Sequence, residues 1–195
     1  MKIKTLFFVL IMLITGNSYS QSWFGGFYST AGLTNNSHDY ISKYSYRGLG
    51  IDYRTHLGPH CLVGFSTAIN LFNEKLDYGS YTYETVTISG VQNRSMTTFP
   101  ILAAFDYCDT IYKNLQWFAG AGIGTAYVNH YTDFGSYTFE RDAWQFLLAP
   151  EAGIVYPVSR SSSVYLSVRY NQGFETKSMN GQSYFSINIG LGGPF

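Results

Sequence analysis

The chain has 195 residues, with 12 Lys and Arg against 12 Asp and Glu, so its formal net charge at pH 7 is zero. Charged residues make up only 12% of it, whereas aromatic residues make up 18%. Nucleic-acid-binding proteins present a basic stripe, so this balance excludes a nucleic-acid partner, and the length is that of a single domain.

The first predicted element is a secretory signal peptide over residues 1–20. Lys2 and Lys4 give a basic start, residues 6–14 form an unbroken apolar run, and residues 18–20 read Ser-Tyr-Ser, a small-x-small cleavage pattern. The apolar run is too short to span a bilayer as a helix. We therefore expect an exported chain of residues 21–195 that carries ten basic and twelve acidic residues.

Behind the leader, hydrophobicity alternates with a period of two in eight segments bounded by turn residues. The predicted strands span residues 23–33, 44–57, 61–71, 95–107, 115–131, 144–156, 163–171 and 183–191. Their connections alternate between short turns (58–60, 108–114, 157–162) and longer loops (34–43, 72–94, 132–143, 172–182). This alternation is typical of outer-membrane barrels, with turns in the periplasm and loops outside.

One face of each strand is apolar and the other is small, polar or charged. In the third strand, for example, Val63, Phe65 and Ile69 alternate with Gly64 and Ser66. The interior of an eight-stranded barrel only just holds side chains, so the small residues belong inside and the apolar face contacts outer-membrane lipid. A soluble lipocalin-like barrel has the reverse arrangement, and a soluble sandwich with aromatic-rich strands is the other alternative. The sequence therefore predicts an all-β fold, an eight-stranded antiparallel up-and-down transmembrane β-barrel in the outer membrane.

Aromatic residues are expected to mark both edges of the lipid-facing band. Tyr107, Trp117 and Tyr156 fall near the turn ends of their strands, and Tyr127 and Trp144 fall near the loop ends. From Trp117 to Tyr127 a strand tilted by roughly 40° rises about 25 Å, which matches the apolar band of such barrels.

Inward parity also collects charged residues in the lumen: Asp52, Arg54, Asp106, Glu151 and Arg169. Charges in so narrow a space are tolerated only when they are paired and hydrogen-bonded. If the sixth and seventh strands fold about a turn near Arg160, Glu151 faces Arg169. The sequence thus predicts a salt-bridged core that plugs the lumen. A gated ion path along the same charges is an open alternative, whereas a wide pore does not fit eight strands.

Evidence for catalysis or metal binding is weak, and we expect no catalytic residue, no cofactor and no metal. His56 and His60 lie in a periplasmic turn, but a spacing of four without further ligands is a poor metal site. His130 lies near Thr132 and Asp133, so a lipid-modifying enzyme with a His, a hydroxyl and an acid at the lipid-facing rim is an alternative. His38 is the fourth histidine of the chain.

The two cysteines are predicted to lie at the periplasmic ends of neighbouring strands. That compartment permits disulfides, and the distance along the ladder favours a bridge. Cys61, however, shares parity with lipid-facing residues and Cys108 with inward-facing ones. Since a bridge needs converging Cβ vectors, the facing of the two residues opposes it.

Two octapeptides are nearly identical, DYGSYTYE at residues 77–84 and DFGSYTFE at residues 133–140. Both fall in extracellular loops, and we interpret them as hairpins that project above the membrane. Their aromatic residues form the candidate binding surface: Tyr78, Tyr81, Tyr83, Phe134, Tyr137 and Phe139. The alternative is that they are aromatic strand extensions that lie side by side without a partner.

Three segments carry a resemblance to a known family: TTFPILAAFDY (residues 97–107), WFAGAGIGTAYV (117–128) and APEAGIVYPVSRSSSVYLSVRYNQGF (149–174). They resemble the porin-family outer-membrane β-barrel domain common in Bacteroidetes, and the architecture is similar to OmpX and the membrane domain of OmpA. The resemblance implies that the outer-membrane assembly machinery inserts the chain by reading a terminal aromatic strand. The last segment, YFSINIGLGGPF, has the terminal Phe195, but Gly193-Pro194 interrupts the alternation just before it.

The sequence favours a structural or binding role through the extracellular loops, with a protein partner in the outer membrane or on an external surface. The alternative is a small accessory barrel subunit of an outer-membrane assembly or secretion complex. A narrow ion channel and a lipid-modifying enzyme are the remaining alternatives. No residue identifies the partner.

Overall fold

The computed structural model describes residues 22–83, 86–112, 114–135 and 137–193. The predicted signal peptide and the terminal Phe195 lie outside the described residues. The strands are β1 (Ser22–Thr34), β2 (Ser45–His56), β3 (Cys61–Tyr83), β4 (Val86–Tyr112), β5 (Leu115–Asp133), β6 (Thr138–Pro157), β7 (Ser163–Gly173) and β8 (Ser183–Gly192). A short helix, α1 (Asn36–Tyr40), lies between β1 and β2.

The eight strands form one closed barrel in which each strand pairs with its sequence neighbours and β1 pairs with β8. Every pairing is antiparallel. Within the described strands, closure leaves no free sheet edge at membrane depth, as hydrocarbon requires of a spanning β-structure. The predicted fold class, an up-and-down eight-stranded antiparallel barrel, is confirmed.

Two of the predicted loops are wrong. The segment 72–94 is largely strand, because β3 and β4 stay paired as far as Tyr83 and Val86. The segment 132–143 shortens to a turn in which Phe134 N donates to Tyr137 O at 2.9 Å. The prediction ended these strands where the lipid-facing alternation stops. Above the membrane the outward face meets water, so exposed polar residues such as Asn73 and Lys75 occupy it.

An apolar belt surrounds the barrel. Its exposed members come from all eight strands and include Phe24, Leu49, Phe65, Ile69, Phe99, Ile101, Phe105, Ile123, Phe146, Ile154, Leu166, Val168, Ile187 and Ile189. A continuous belt of this kind far exceeds the apolar patches of a soluble monomer, and hydrocarbon is the environment that suits it. Within the described ranges no helix is long and apolar enough to cross a membrane.

Aromatic pairs lie at both margins of the belt. Tyr127 and Trp144 are cross-strand neighbours at the loop end, with ring centroids 5.4 Å apart. Tyr107 and Trp117 meet at the turn end, at 5.7 Å. Tyr156 is exposed at that same end. All five predicted girdle residues thus lie at the margins of the belt, and their contact with the membrane interface stays a prediction.

The lumen is filled in layers, whose order can be followed along β6. Val155 belongs to an apolar layer at the turn end with Trp23 and Phe118. Glu151 follows in a charged layer, and Leu147 belongs to a second apolar layer at the loop end. Ile41, just after α1, and Met179, from the connection between β7 and β8, are buried in that second layer, so these two connections close the loop end of the barrel.

Candidate functional site

Arg169 and Glu151 form the tightest pair of the charged layer. They lie opposite each other on β7 and β6. Arg169 Nε and Nη2 donate to Glu151 Oε2 at 3.0 and 2.8 Å. Arg169 Nη2 also lies 3.5 Å from Asp52 Oδ1. This guanidinium therefore holds two carboxylates from different walls of the barrel.

Arg54 connects the remaining members. Its Nε donates to Asp106 Oδ2 at 2.7 Å, and its Nη1 donates to Asp52 Oδ1 at 3.3 Å. Its Nη2 lies 3.5 Å from Glu151 Oε2. All five predicted lumen charges are thus brought into one network, in which two guanidinium groups bridge three buried carboxylates.

Uncharged side chains that the sequence analysis did not single out complete the network. Tyr165 OH donates to Asp52 Oδ2 at 2.8 Å, and Ser167 Oγ donates to Glu151 Oε1 at 2.6 Å. The guanidinium of Arg169 lies over the ring of Phe27, 5.7 Å from its centroid. Tyr165 and Ser167 share the inward parity of Arg169, so the alternation along this strand could have predicted that they face the charged layer.

The space beside the charges is small. A cavity of about 10 Å³ lies between Asp52, Arg54, Asp106, Trp23 and Tyr165. That is about the smallest volume that holds one water molecule. Above it, Met96, Leu102 and Leu147 are almost completely buried in the second apolar layer. The packing favours a plugged lumen over the ion path.

A latch, defined here as Tyr40, Ser42, Glu74, Arg94 and His130, ties α1 to the loop end of the sheet. The ring of Tyr40 stacks on His130 at 4.3 Å, and Arg94 Nη1 donates to Tyr40 O at 3.0 Å. Glu74 accepts hydrogen bonds from Ser42 N at 2.7 Å and from Ser42 Oγ at 2.6 Å. The latch holds Ile41 in the mouth of the barrel.

Two groups of the latch have lowered pKa values. Burial lowers the pKa of His130 from 6.5 to about 4, with a further contribution from the charge of Arg141, while Gln182 opposes the shift. Burial alone would raise the pKa of Glu74, but the hydrogen bonds from Ser42 outweigh it and hold that pKa below 4.5. At pH 7 the latch thus contains a neutral imidazole and an ionised carboxylate.

His130, Thr132 and Asp133 are not arranged as a catalytic trio. His130 is turned inward beneath Tyr40, and the hydroxyl of Thr132 bonds that of Tyr40 at 2.7 Å. Asp133 Oδ1 instead accepts from Gly135 N at 2.7 Å in the turn that follows. The expectation that the chain is not an enzyme stays a prediction.

The two octapeptides adopt different structures. The first runs along β3 through a register shift between Leu76 and Gly79. The second forms the turn between β5 and β6, where Gly135 has a φ of +87° that favours glycine. The shared sequence therefore does not fulfil one common structural role.

The octapeptides nevertheless touch. Tyr81 lies 6.1 Å from Phe134, and Phe134 lies 6.0 Å from Phe139, between ring centroids. Phe134 is buried, so these three rings pack mainly on each other, whereas Tyr78 and Tyr137 are exposed. The side chain of Tyr83 lies outside the described residues. The candidate binding surface thus consists of a packed ring cluster with two exposed tyrosines beside it, and its role in binding stays a prediction.

Cys61 and Cys108 are both free thiols, the first exposed and the second buried. Cys61 is paired with Tyr107 in the ladder, so Cys108 is one residue further along and points to the opposite face. The facing of the two residues, and not their distance along the ladder, decides against a bridge.

No family model and no curated protein match the sequence. Among solved structures the chain is similar to Ail, the attachment invasion locus protein of Yersinia pestis, with 11% identity, coverage of 89% of this chain and 97% of that chain, and a TM-score of 0.54. For Neisserial surface protein A the identity is 11%, the coverage 89% and 97%, and the TM-score 0.58. For the outer membrane protein OprG of Pseudomonas aeruginosa the identity is 13%, the coverage is 89% of this chain and 95% of that chain, and the TM-score is 0.51.

The chain has the fold of the small outer-membrane β-barrels. Together with the apolar belt and its aromatic margins, that fold places the protein in the outer membrane. The resemblance to small outer-membrane barrels is confirmed at the level of the fold. Its Bacteroidetes porin-family type stays a prediction.

Proposed function

We propose that this protein is an outer-membrane barrel with a plugged lumen that binds an extended segment of another protein along the extracellular part of β3. The observation that carries the proposal is the unequal length of neighbouring strands. β3 continues to Tyr83 with β4 as its partner, whereas the pairing of β2 with β3 ends at Asn70.

The far edge of β3 offers backbone groups to a partner. Ser45 Oγ bonds Leu71 O and Ser42 bonds Glu74, so the connection from α1 covers the lower part of this edge. Residues 75–83 continue beyond that contact, and the shift between Leu76 and Gly79 bends the strand. Bulges and charged residues such as Lys75 protect edges against unselective pairing. The segment 79–83 is therefore the proposed docking edge.

Two exposed tyrosines, one next to the docking edge and one in the turn between β5 and β6, add contact area. Tyr78 is 77% exposed and Tyr137 is 62% exposed. Tyrosine contributes a large contact area at low entropic cost and is frequent at binding hot spots. Strand addition gives affinity through main-chain hydrogen bonds, while such side chains select the partner. The ring cluster of Tyr81, Phe134 and Phe139 stiffens the hairpin that presents them.

Two structural neighbours, an attachment invasion locus protein and a surface protein, have names in keeping with binding at the cell exterior. At 11% identity they support only the shared fold, and the proposal depends on the docking edge of this chain.

A proline scan of residues 79–82 tests the proposal. Proline removes a backbone N–H, so at alternate positions it deletes either an outward donor or a donor to β4. Hydrogen exchange of the β3–β4 ladder identifies the substitutions that leave the hairpin intact. We expect those variants to lose the adhesion of expressing cells to immobilised extracellular proteins, and Arg160→Pro, in an exposed turn at the opposite end, to retain it. Unchanged adhesion in the edge-blocked variants would contradict the proposal.

A further inference from the structure

A polar cavity of about 340 Å³ opens at the extracellular mouth of the barrel, apart from the docking edge. It lies between Tyr40 and His130 on one side, Arg141 of β6 on another, and the connection from β7 to β8, which contributes Glu175, Lys177 and Ser178. Sites for small molecules commonly have volumes of roughly 300–1,000 Å³. The cavity is therefore large enough for a ligand of monosaccharide size.

The wall formed by the β7–β8 connection is held in place at several points. Thr176 N donates to Met179 O at 2.9 Å, and the side chain of Met179 is buried in the upper apolar layer. Gln145 Nε2 donates to Asn180 O at 2.8 Å, and Gln145 Oε1 accepts from Gln182 N at 3.1 Å. A preformed wall spares a ligand the entropic cost of ordering it.

The remaining wall is fixed by the latch. Tyr40 is stacked on His130, and its hydroxyl bonds that of Thr132. These contacts hold the rings and the hydroxyl of Thr132 at one side of the cavity. The cavity is thus enclosed by segments that the rest of the fold positions, and it is not a gap between unattached loops.

The charges that line the cavity favour an anion. Arg141 and Lys177 are cationic, Glu175 is the one acid among the lining residues, and His130 is neutral at pH 7. The net formal charge of the lining is therefore +1. Hydroxyl and amide groups of Thr176, Ser178 and Asn180 lie between the charged residues and suit a ligand that carries several hydroxyls.

We infer that this cavity binds a small hydroxylated carboxylate, the size of one sugar acid, with its carboxylate at Arg141 and Lys177 and its hydroxyls at Glu175 and Ser178. Arg recognises a carboxylate through two parallel hydrogen bonds, which fixes the orientation of the ligand. The same chemistry is offered by a free sugar acid and by the end residue of an acidic glycan.

Calorimetry on the purified full-length barrel in detergent tests this inference, with D-glucuronate as the probe and D-glucose as its neutral counterpart. We expect D-glucuronate to bind and D-glucose to bind at least about tenfold more weakly, because a charge-assisted hydrogen bond contributes roughly 1.5–3 kcal/mol. Arg141→Gln and Lys177→Gln should each weaken D-glucuronate binding by about tenfold. Lys75→Gln, which removes an exposed lysine on the outward face of β3, should leave it unchanged.

The methyl glycoside of D-glucuronate distinguishes the two sources. Equal affinity for the glycoside supports the end of a glycan, and weaker affinity supports the free acid. The inference is overturned if D-glucuronate does not bind at millimolar concentration, if D-glucose binds equally well, or if Arg141→Gln has no effect while circular dichroism shows a folded barrel. Adhesion through the docking edge does not enter this experiment, so the two proposals fail separately.

Discussion

Glu151 on β6 lies directly opposite Arg169 on β7, and one carboxylate oxygen accepts two hydrogen bonds from the guanidinium, at 3.0 and 2.8 Å. Both side chains are almost fully buried, at 4% and 3% exposure. Removal of two charges from water is costly, and their attraction repays that cost only when the remaining hydrogen bonds are also satisfied. Ser167 and Asp52 supply those further contacts, so the pair is one part of a network that spans the lumen.

Glu151→Gln should destabilise the barrel strongly, because it leaves Arg169 buried with one carboxylate fewer. Loss of one partner of a buried pair costs about 3–5 kcal/mol. Glu175→Gln makes the same chemical change at an exposed position and should cost less than about 0.5 kcal/mol. Urea unfolding in detergent measures both. Equal midpoints for the two variants would show that the pair does not stabilise the barrel.

The ring cluster should locally stabilise the hairpins at the loop end of the barrel. Phe134→Ala removes a buried ring that contacts both Tyr81 and Phe139, and we expect a loss of about 2 kcal/mol, below the value for a deep core site. Tyr137→Ala, at an exposed ring in the same turn, should have little effect. Faster amide exchange in residues 79–83 of the Phe134 variant is the expected signature. Exchange as slow as in the wild type would mean that the cluster is not a scaffold.

Strand parity predicted the barrel well inside the membrane and poorly above it. β1, β7 and β8 were predicted to within two residues at each end, because lipid demands an apolar residue at every second position there. Beyond Leu71 the outward-facing positions of β3 lie in water, which does not require apolar side chains there. The alternation of apolar and polar residues therefore no longer marks the strand. The 21 residues of β3 and β4 nearest their turn (72–83 and 86–94) therefore looked like a loop, although the ladder continues through most of them.

Acidification should loosen the latch. The pKa of Glu74 is below its ordinary value, so its contribution is present above pH 4.5 and is lost as the pH falls through the lowered pKa. For His130 the unfolded form binds the proton first, so stability declines as the pH falls from 6.5 towards about 4. Arg141 lies near His130 and repels an added proton there, whereas Lys43 and Arg94 favour the ionised carboxylate of Glu74.

Amide exchange of α1 as a function of pH checks this prediction. Exchange, corrected for its intrinsic pH dependence, should accelerate below pH 6.5 and again below pH 4.5. Glu74→Gln should remove the second step, whereas Asp142→Asn, at an exposed acid of β6, should preserve it. A profile without either step would contradict the role of the latch.

The residues of the candidate site could be predicted only where the alternation along a single strand shows which side chains face the lumen. Asp52, Arg54, Asp106, Glu151 and Arg169 each follow from the facing of a single strand. The latch could not be predicted in this way, because Tyr40 and Ser42 lie outside any strand and meet Glu74 and His130 only through the fold. The burial of Phe134 likewise depends on Tyr81 from another hairpin.

The protein should remain in the membrane when membranes are washed with sodium carbonate. In water, its belt of exposed apolar residues, such as Phe105 and Ile189, would remain in contact with solvent, which is unfavourable. Detergent should be needed to release it. Release into the supernatant without detergent would be incompatible with an integral barrel.

Conductance across a planar bilayer tests the central claim, a plugged lumen, most directly. Two apolar layers and a salt-bridged layer fill the barrel, and the cavity beside the charges has a volume of only about 10 Å³. We expect purified protein to show no stable channel openings in 1 M KCl at either polarity, with a porin of known conductance as the positive control. Stable openings of porin size, abolished by heat denaturation before insertion, would contradict the plugged lumen and return the charged layer to the role of an ion path.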